Sequence, residues 1–129
     1  QPGIVLKNKN AVIVAHSRVF FEPVAYLLRR EGVSAEFLSP GSDVDAVKNA
    51  DIVIIAVGHE NFLAADNIKN GAIVIDVGIN KTPHGVVGDV DAEAVRSLDG
   101  FITPVPGGVG PVTVASLLAN TAAAVARRP

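Results

Sequence analysis

The sequence contains no cysteine, so disulfide bonds and thiolate chemistry are excluded and the redox compartment cannot be read from it. It also lacks a strong charge imbalance. The net charge of −2 gives no reason to expect a nucleic acid or an anionic membrane surface as a partner. No apolar run approaches the roughly 18 residues of a membrane span, and no secretory signal precedes the first apolar run. A cytoplasmic protein is therefore the default expectation.

Familiar catalytic motifs are absent as well. The sequence has neither a G-x-S-x-G nucleophile elbow nor a Walker A phosphate loop. Its histidines, His16, His59 and His84, have no metal-ligand spacing to one another. We expect His59 to lie on a ligand-binding rim and His84 to be solvated. The residues by themselves thus predict no catalytic constellation and no metal site.

What the sequence does contain is an alternation of short apolar runs and helical segments. Its 129 residues, 49% of them hydrophobic, suit one globular domain over 1–129. Strands are predicted at 11–15, 34–38, 51–58, 72–78 and 101–103, and helices at 23–32, 43–50, 61–69, 91–98 and 111–128. The polar segment 79–91 is expected to form a small hairpin. Five strands separated by helices predict an α/β fold, a Rossmann-like doubly wound parallel sheet.

The carboxyl ends of parallel strands meet at one edge, where such sheets bind ligands. The loops 15–22, 38–42, 57–61, 77–80 and 103–111 are expected at that edge. Gly58 and Gly78 each end a buried strand, and two glycines on one edge favour a nucleotide cleft over simple turn chemistry. Asp76 and Asp89 are either structural hydrogen-bond acceptors or site groups, and the residues leave both alternatives open.

The loop after the first strand lacks the G-x-G-x-x-G dinucleotide fingerprint and reads AHSRVFFEP. Ser17 and the amides of the following helix could still hold a phosphate, with His16 and Arg18 adding positive charge. Phe20 and Phe21 either crowd the pyrophosphate or pack against the sheet.

The end of the second strand carries no carboxylate before Asp43, which argues against a strict NAD site. A hydroxyl at Ser39, beside His16 or Arg18, would tolerate a 2′-phosphate.

The stretch FITPVPGGVGPVT (101–113) is dense in residues that shape the backbone. Its prolines restrict φ, and its glycines allow close approach of a ligand. Thr113 is expected in the first turn of the helix that follows, with its hydroxyl free to reach a ligand. The stretch therefore favours the wall of a ligand pocket over plain scaffolding.

Four segments together resemble the bifunctional methylenetetrahydrofolate dehydrogenase/cyclohydrolase family. They are ADIVIIAVG (50–58), IVIDVGIN (73–80), VVGDVD (86–91) and ITPVPGGVGPVTVASLLANT (102–121). PVPGGVGP is the most specific of these motifs. The resemblance runs from about Leu6 to Arg127 and concerns only the C-terminal, nucleotide-binding half of the family.

The resemblance implies binding of NADP, with NAD possible, and a folate as substrate. The implied cofactor contacts are His16, Ser17, Arg18, Ser39, Val57, Gly58, Gly78, Ile79 and Thr113. The implied substrate-facing wall between the nicotinamide and the folate is Pro106, Gly107, Gly108 and Val109. A flat wall there would let the nicotinamide C4 approach the one-carbon unit.

In this family the N-terminal half supplies the catalytic lysine, its tyrosine and glutamine helpers and a folate-holding aspartate. None of these has a counterpart in the chain. The resemblance therefore implies an enzyme whose catalytic residues lie outside this chain, which would be inactive alone. It also implies a homodimer for the full-length protein.

The chain departs from the family pattern at the phosphate site. The family reads V-G-R-S-x-x-V-G-x-P after the first strand, whereas Ala15 and Phe21 replace its glycines here and His16 replaces its arginine. The family's C-H-S after the second strand is Phe37-Leu38-Ser39. These changes keep a second hypothesis open, a non-catalytic nucleotide-binding or interaction module. A third is a scaffold that packs the helix 111–128 on a partner. In the enzyme the same helix would pack on the missing half, so the enzyme and the scaffold both predict an exposed apolar patch on the isolated chain.

Overall fold

The computed structural model describes residues 5–127. Its strands are β1 Asn10–Ala15, β2 Ser34–Leu38, β3 Ile52–Ala56, β4 Ile73–Asp76, β5 Asn80–Thr82, β6 Gly85–Val87 and β7 Phe101–Ile102. Its α-helices are α1 Arg18–Arg30, α2 Ala92–Val95 and α3 Val109–Ala126. Five strands form one parallel sheet in the order β2-β1-β3-β4-β7, which confirms the predicted fold class.

Strand β1 lies where the strand order changes direction, because β2 pairs on one side of it and β3 on the other. Its register places Ile13 opposite both Phe37 of β2 and Ile54 of β3. Such a switch point opens a crevice between the loops that follow β1 and β3. The polar segment is an antiparallel hairpin of β5 and β6, as the sequence predicts.

Alternate residues of the central strands supply two hydrophobic layers, one on each face of the sheet. Ala11 and Ile13 of β1 pack with Phe21 and Ala25 of α1. The intervening Val12 and Val14 belong to the other layer, which includes Val47, Leu63 and Val90. Burial on both faces explains why β1 and β3 are almost continuously apolar rather than alternating.

Helix α1 begins earlier than predicted. The expected start at Pro23 is wrong, because Ser17 caps the helix: its Oγ accepts a hydrogen bond from the backbone N–H of Val19 at 3.1 Å. Pro23 therefore lies inside α1. The predicted stop is confirmed at Gly32, whose φ of +78° is left-handed.

The helix predicted at 61–69 is wrong. That segment contains only a short 3-10 helix, Ala65–Asn67, and Leu63 forms a parallel bridge with Val90. The backbone of Leu63 is drawn into this pairing by donating to the Asp89 carbonyl at 3.2 Å and accepting from Asp91 N–H at 3.0 Å. Long-range pairing here outweighs a weak local helix propensity.

Two other predicted helices are present in reduced form. The segment 43–50 contains a 3-10 helix, Val44–Asn49, which Asp43 caps by accepting from the N–H of Asp45 at 2.9 Å. The segment 91–98 contains only the four residues of α2. Val47 in the first segment and Val95 in the second are buried in the core, so packing rather than helix propensity sets the backbone of both segments.

Helix α3 begins at Val109, two residues before the predicted Pro111, and its predicted end at Arg128 lies outside the described residues. None of its residues is buried, and Leu117 and Leu118 are 65% and 66% exposed. The predicted apolar patch is thus confirmed. By length and composition alone α3 also qualifies as a membrane span, so the expectation of no such run is wrong, although core helices of soluble proteins meet the same criterion.

Asp51, directly before β3, is a partly exposed carboxylate with two lysines beside it. It accepts hydrogen bonds from Lys69 Nζ at 2.7 Å and from the N–H of Asn10 at 3.2 Å, and Lys9 Nζ lies 3.7 Å away. The bond from Lys69, then that from Asn10, lowers the pKa of Asp51. Because the folded pKa lies below the unfolded one, this stabilisation is present above the unfolded value, about 4, and is lost as pH falls through the folded value.

We predict that Asp51→Asn lowers the free energy of unfolding by about 1 kcal/mol at pH 7. The difference from the unaltered chain should shrink below about pH 4 and vanish in stronger acid. Denaturant unfolding at several pH values measures it. The control is Asp45→Asn, which removes an equal charge from the exposed pair with Lys48 and should change little. A pH-independent loss in Asp51→Asn would contradict the linkage.

Candidate functional site

The ligand-binding edge of the sheet is centred on the switch point between β1 and β3. The Nε2 atom of His16, which follows β1, lies 2.9 Å from the carbonyl oxygen of Val57, which follows β3. Next to it, Gly58 has a φ of +73°, and a Cβ there would meet no atom within 4 Å. Glycine is favoured here by conformation, and the space above the backbone is open to a ligand.

Asp76, the last residue of β4, is a buried carboxylate that organises one side of this edge. Its Oδ1 accepts from the N–H groups of Gly78 at 2.9 Å and Asp89 at 3.1 Å, and its Oδ2 accepts from Val90 N–H at 3.0 Å. Burial raises the pKa of Asp76 above its ordinary value, against the effect of these three bonds. The side chain therefore fixes the backbone at 88–90 beside β4.

Asp89 does the same for the loop after β3. Its Oδ2 accepts from the N–H groups of Val57 at 2.6 Å and Gly58 at 2.9 Å, and its Oδ1 accepts from His59 N–H at 3.0 Å. The side-chain amide of Asn80 donates to the same Oδ1 at 2.9 Å. Both carboxylates that the sequence left ambiguous are thus structural acceptors, and the three successive N–H groups at 57–59 are fixed by one of them.

Two glycines are dictated by these carboxylates. A Cβ on Gly78 would overlap the Asp89 carboxylate, and one on Gly88 would overlap the carboxylate of Asp76. Gly78 is therefore required by close packing, a different reason from the ligand approach that its place at a strand end suggests. Glycine at 88 gave no separate signal in the sequence.

A cavity of about 570 Å³ opens beside this network, between the end of β4 and the start of α3. Its walls are formed by residues 76–79, 86, 104–111 and 113. The stretch 104–111 contributes mostly backbone and aliphatic carbon, and the peptide bond between Val105 and Pro106 is cis. A Cβ on Gly107 would meet nothing within 4 Å, so this wall is flat and open.

The predicted site residues divide into groups along the edge. The cavity is lined by Gly78, Ile79, Pro106, Gly107, Gly108, Val109 and Thr113. His16, Val57 and Gly58 lie at the switch point. Ser17 and Arg18 begin α1, and Ser39 follows β2 with its Oγ 3.0 Å from Ser42 Oγ. The prediction of a free Thr113 hydroxyl in the first turn is wrong: α3 begins at Val109, and the hydroxyl donates to the Val109 carbonyl at 3.0 Å, which leaves only its lone pairs available as acceptors.

None of the three histidines lines the cavity: His16 lies at the switch point, and the other two lie elsewhere. His59 donates its backbone N–H to Asp89, and its ring lies 3.0 Å from the carbonyl of Glu60 through Nδ1. His84 is exposed at the turn of the β5–β6 hairpin, as predicted.

Phe20 and Phe21, which the structure places in the first two turns of α1, do not crowd the edge. Phe21 is 3% exposed and packs with Ala25 and Ile13 under the sheet, and Phe20 is half-buried against the same cluster. The alternative in which both rings pack against the sheet is confirmed. The first turn of α1 carries no acidic residue, so no side-chain anion there opposes the positive end of the helix dipole.

Two positioning residues were missed by sequence reasoning. Asn80 joins the hairpin to the network by donating to the carbonyl of Gly88 at 3.0 Å as well as to Asp89. Thr103, after β7, accepts from the N–H of Asp76 at 2.9 Å through Oγ1. Both are polar residues directly after or within short strands, a pattern with no specific signal of its own.

A doubly wound parallel sheet with a switch point at β1 and a cavity at its carboxyl edge defines a Rossmann-like nucleotide-binding domain. The family model described as tetrahydrofolate dehydrogenase/cyclohydrolase, NAD(P)-binding domain, matches residues 1–129. The chain therefore belongs to this family, and within it to the NAD(P)-binding domain.

Individual relatives agree with the family assignment. The chain is 49% identical over 123 residues to the bifunctional protein FolD of Caldicellulosiruptor saccharolyticus, covering 92% of this chain and 44% of the relative. The FolD structure from Campylobacter jejuni matches with a TM-score of 0.85 and 44% identity, covering 92% of this chain and 43% of that one. The chain thus spans less than half the length of these relatives.

A third relative is a solved structure with its cofactor. The methylenetetrahydrofolate dehydrogenase-cyclohydrolase of Trypanosoma brucei, complexed with NADP cofactor and inhibitor, matches with a TM-score of 0.83 and 34% identity. The match covers 97% of this chain and 47% of that one.

We predict that Gly78→Ala lowers the free energy of unfolding by about 3 kcal/mol, because its methyl group must displace the Asp89 carboxylate from three backbone N–H groups. Thermal and denaturant unfolding measure this loss. Gly110→Ala is the matched control: a Cβ there meets nothing within 4 Å inside α3, so it should be neutral or slightly stabilising. Equal effects of the two substitutions would refute the packing argument.

Proposed function

We propose that the chain is the cofactor domain of a methylenetetrahydrofolate dehydrogenase/cyclohydrolase that uses NADP. The observation that carries this proposal is the cavity of about 570 Å³ between 104–111 and the end of β4. Its size lies in the range of small-molecule sites. When bound, the nicotinamide would accept a hydride from methylenetetrahydrofolate; hydrolysis of the resulting methenyl form gives the formyl product.

The cavity residues fit a nicotinamide ring. Gly107 presents backbone with open space where a side chain would be, so a planar ring can lie against this wall, whereas Gly108 is glycine because a Cβ there would meet the carbonyl oxygen of Pro104. Ile79 and Val109 supply apolar contact, and the Thr113 hydroxyl supplies an acceptor for the carboxamide. The chain's part in the dehydrogenase step is thus to orient one face of the ring and to exclude water from it.

The residues at the switch point fit the phosphates. Ser17 already accepts the N–H groups of residues 19–21, so an anion is favoured here by the positive end of the α1 dipole, which no acidic residue in the first turn opposes. Gly58 leaves room for a pyrophosphate above the backbone. His16 is held beside it by its bond to the Val57 carbonyl. The segment 15–22 therefore keeps features that suit a dinucleotide, although Ala15 and Phe21 replace the family's glycines.

Acid–base chemistry is expected from another part of the protein. Asp76 and Asp89 each accept three backbone N–H groups, so both carboxylates are committed to holding the backbone. We infer that the folate and the catalytic groups meet this cavity through a second half of the enzyme. The chain alone would bind cofactor without turnover, and the full-length enzyme would be a cytoplasmic homodimer.

A second candidate function is an interaction module without catalysis. Helix α3, none of whose residues is buried, favours it because this apolar surface is available to a partner. The two candidates differ in one measurable property, since only the first requires the cavity to bind a dinucleotide.

We predict that calorimetric titration detects NADP binding to the 129-residue chain and that Ile79→Ala weakens it about fivefold, the effect of losing about 1 kcal/mol of apolar contact. Ile79 is 65% exposed and lines the cavity, so the change should not disturb folding. Val125→Ala is the control: Val125 is 63% exposed on α3, away from the cavity.

Absence of NADP and NAD binding at millimolar concentration would contradict the proposed function and favour the interaction module. Turnover of methylenetetrahydrofolate by the chain alone would instead contradict the assignment of acid–base chemistry to another half.

A further inference from the structure

Arg18 is held in place by two aromatic rings at the carboxyl end of β2. Its guanidinium carbon lies 5.0 Å from the ring centroid of Phe37 and 5.7 Å from that of Phe21. The two rings contact each other edge to face, with centroids 5.5 Å apart. Because Phe37 is the second-last residue of β2, these contacts fix the Arg18 charge beside the loop that begins at Ser39.

The end of this strand is where a dinucleotide fold distinguishes its cofactors. A carboxylate there binds the ribose hydroxyls of NAD, and an arginine accommodates the 2′-phosphate of NADP. In this chain the first carboxylate after β2 is Asp43, whose Oδ1 already accepts from Asp45 N–H at 2.9 Å. The hydroxyls of Ser39 and Ser42 lie 3.0 Å apart on the same loop. The groups available at the end of β2 are thus hydroxyls and a guanidinium rather than a carboxylate.

Little holds Arg18 back from an incoming phosphate. Its one described carboxylate partner is Glu22, at 3.5 Å, and the two side chains are 68% and 58% exposed. An exposed pair of this kind has little strength in water. A phosphate dianion offers the guanidinium two parallel hydrogen bonds, which is a stronger interaction. The ring contacts can persist while the guanidinium edge turns from Glu22 to the phosphate.

The neighbouring cations are less suitably placed. His16 is bonded through Nε2 to the carbonyl of Val57, on the β3 side of the switch point rather than the β2 side. Arg29 also lies over the Phe21 ring, at 5.8 Å, but it belongs to the last turn of α1. There its Nη2 lies 3.5 Å from the carbonyl oxygen of Ala35, toward the other end of β2.

We propose that Arg18 is the specificity-determining residue that binds the 2′-phosphate and makes this chain prefer NADP to NAD, with Phe21 and Phe37 as its positioning residues. The proposal rests on the proposed function, since it needs a dinucleotide in the site. The proposal also connects three departures from the family pattern. His16 replaces the family's arginine, and the phenylalanines that replace family residues at 21 and 37 support a different arginine, Arg18.

The test uses the 129-residue chain with two pairs of probes, NADP against NAD, and adenosine 2′,5′-bisphosphate against AMP. The second pair reports the adenosine end without the nicotinamide cavity. In the unaltered chain the 2′-phosphorylated probe of each pair should bind at least tenfold more tightly. Arg18→Gln should reduce that ratio about tenfold and leave NAD and AMP within twofold.

Three further variants separate binding from positioning. Phe37→Leu, which keeps Arg18 but removes its closer ring, should lower the ratio about threefold. His16→Gln should leave it within twofold. Arg29→Gln is the matched control, because it removes an equal charge from the same Phe21 ring at the far end of α1. Circular dichroism and thermal unfolding establish that each variant is folded.

The outcomes distinguish the two proposals. If none of the four probes binds the unaltered chain, the proposed function fails and this inference fails with it. If the probes bind but Arg18→Gln leaves the ratio unchanged, or His16→Gln is the variant that abolishes it, the role of Arg18 is refuted while the cofactor domain stands. If Arg29→Gln reduces the binding ratio as much as Arg18→Gln does, the effect is one of general charge and the role of Arg18 is also refuted.

Discussion

The edge of the sheet depends on one interaction, the acceptance of three successive backbone N–H groups by the buried carboxylate of Asp89. A carboxylate without solvent is tolerated only when its lone pairs are engaged. Here that requirement fixes the loop after β3, and Asp76 in turn fixes the backbone of Asp89 itself at 3.1 Å. The open cleft and the cavity wall are therefore built on two acids that need not touch a ligand.

This arrangement explains why the segments 73–80 and 86–91 resemble a ligand-binding motif in sequence. Gly78 and Gly88 lie against carboxylates, not against a ligand. Asn80 adds the hydrogen bond that ties the hairpin to Asp89. A pattern of glycine, aspartate and asparagine at strand ends can thus report the support of a site rather than its contact surface. The residues that support the site have the stricter geometry, because a side-chain atom added at either glycine would displace a buried carboxylate.

Much of the fold could be predicted from the sequence, and the reason is local. β-branched runs such as 52–56 specify strands wherever both sheet faces are covered, and the proline and glycine density at 104–111 specifies a shaped wall. The start of α1 and the bridge at Leu63 could not be predicted. The start of α1 depends on which of two local signals begins the helix, Ser17 or Pro23. The bridge at Leu63 depends on pairing with a segment 27 residues away.

The exposure of α3 has a thermodynamic consequence. The positive heat-capacity change of unfolding arises mainly from apolar surface that becomes hydrated, and all of α3 is already in contact with water. Its melting would add almost nothing to that change and would follow a shallow helix–coil transition of its own. The isolated chain would then show a smaller heat-capacity step than its length implies, with far-ultraviolet ellipticity declining before the sheet unfolds.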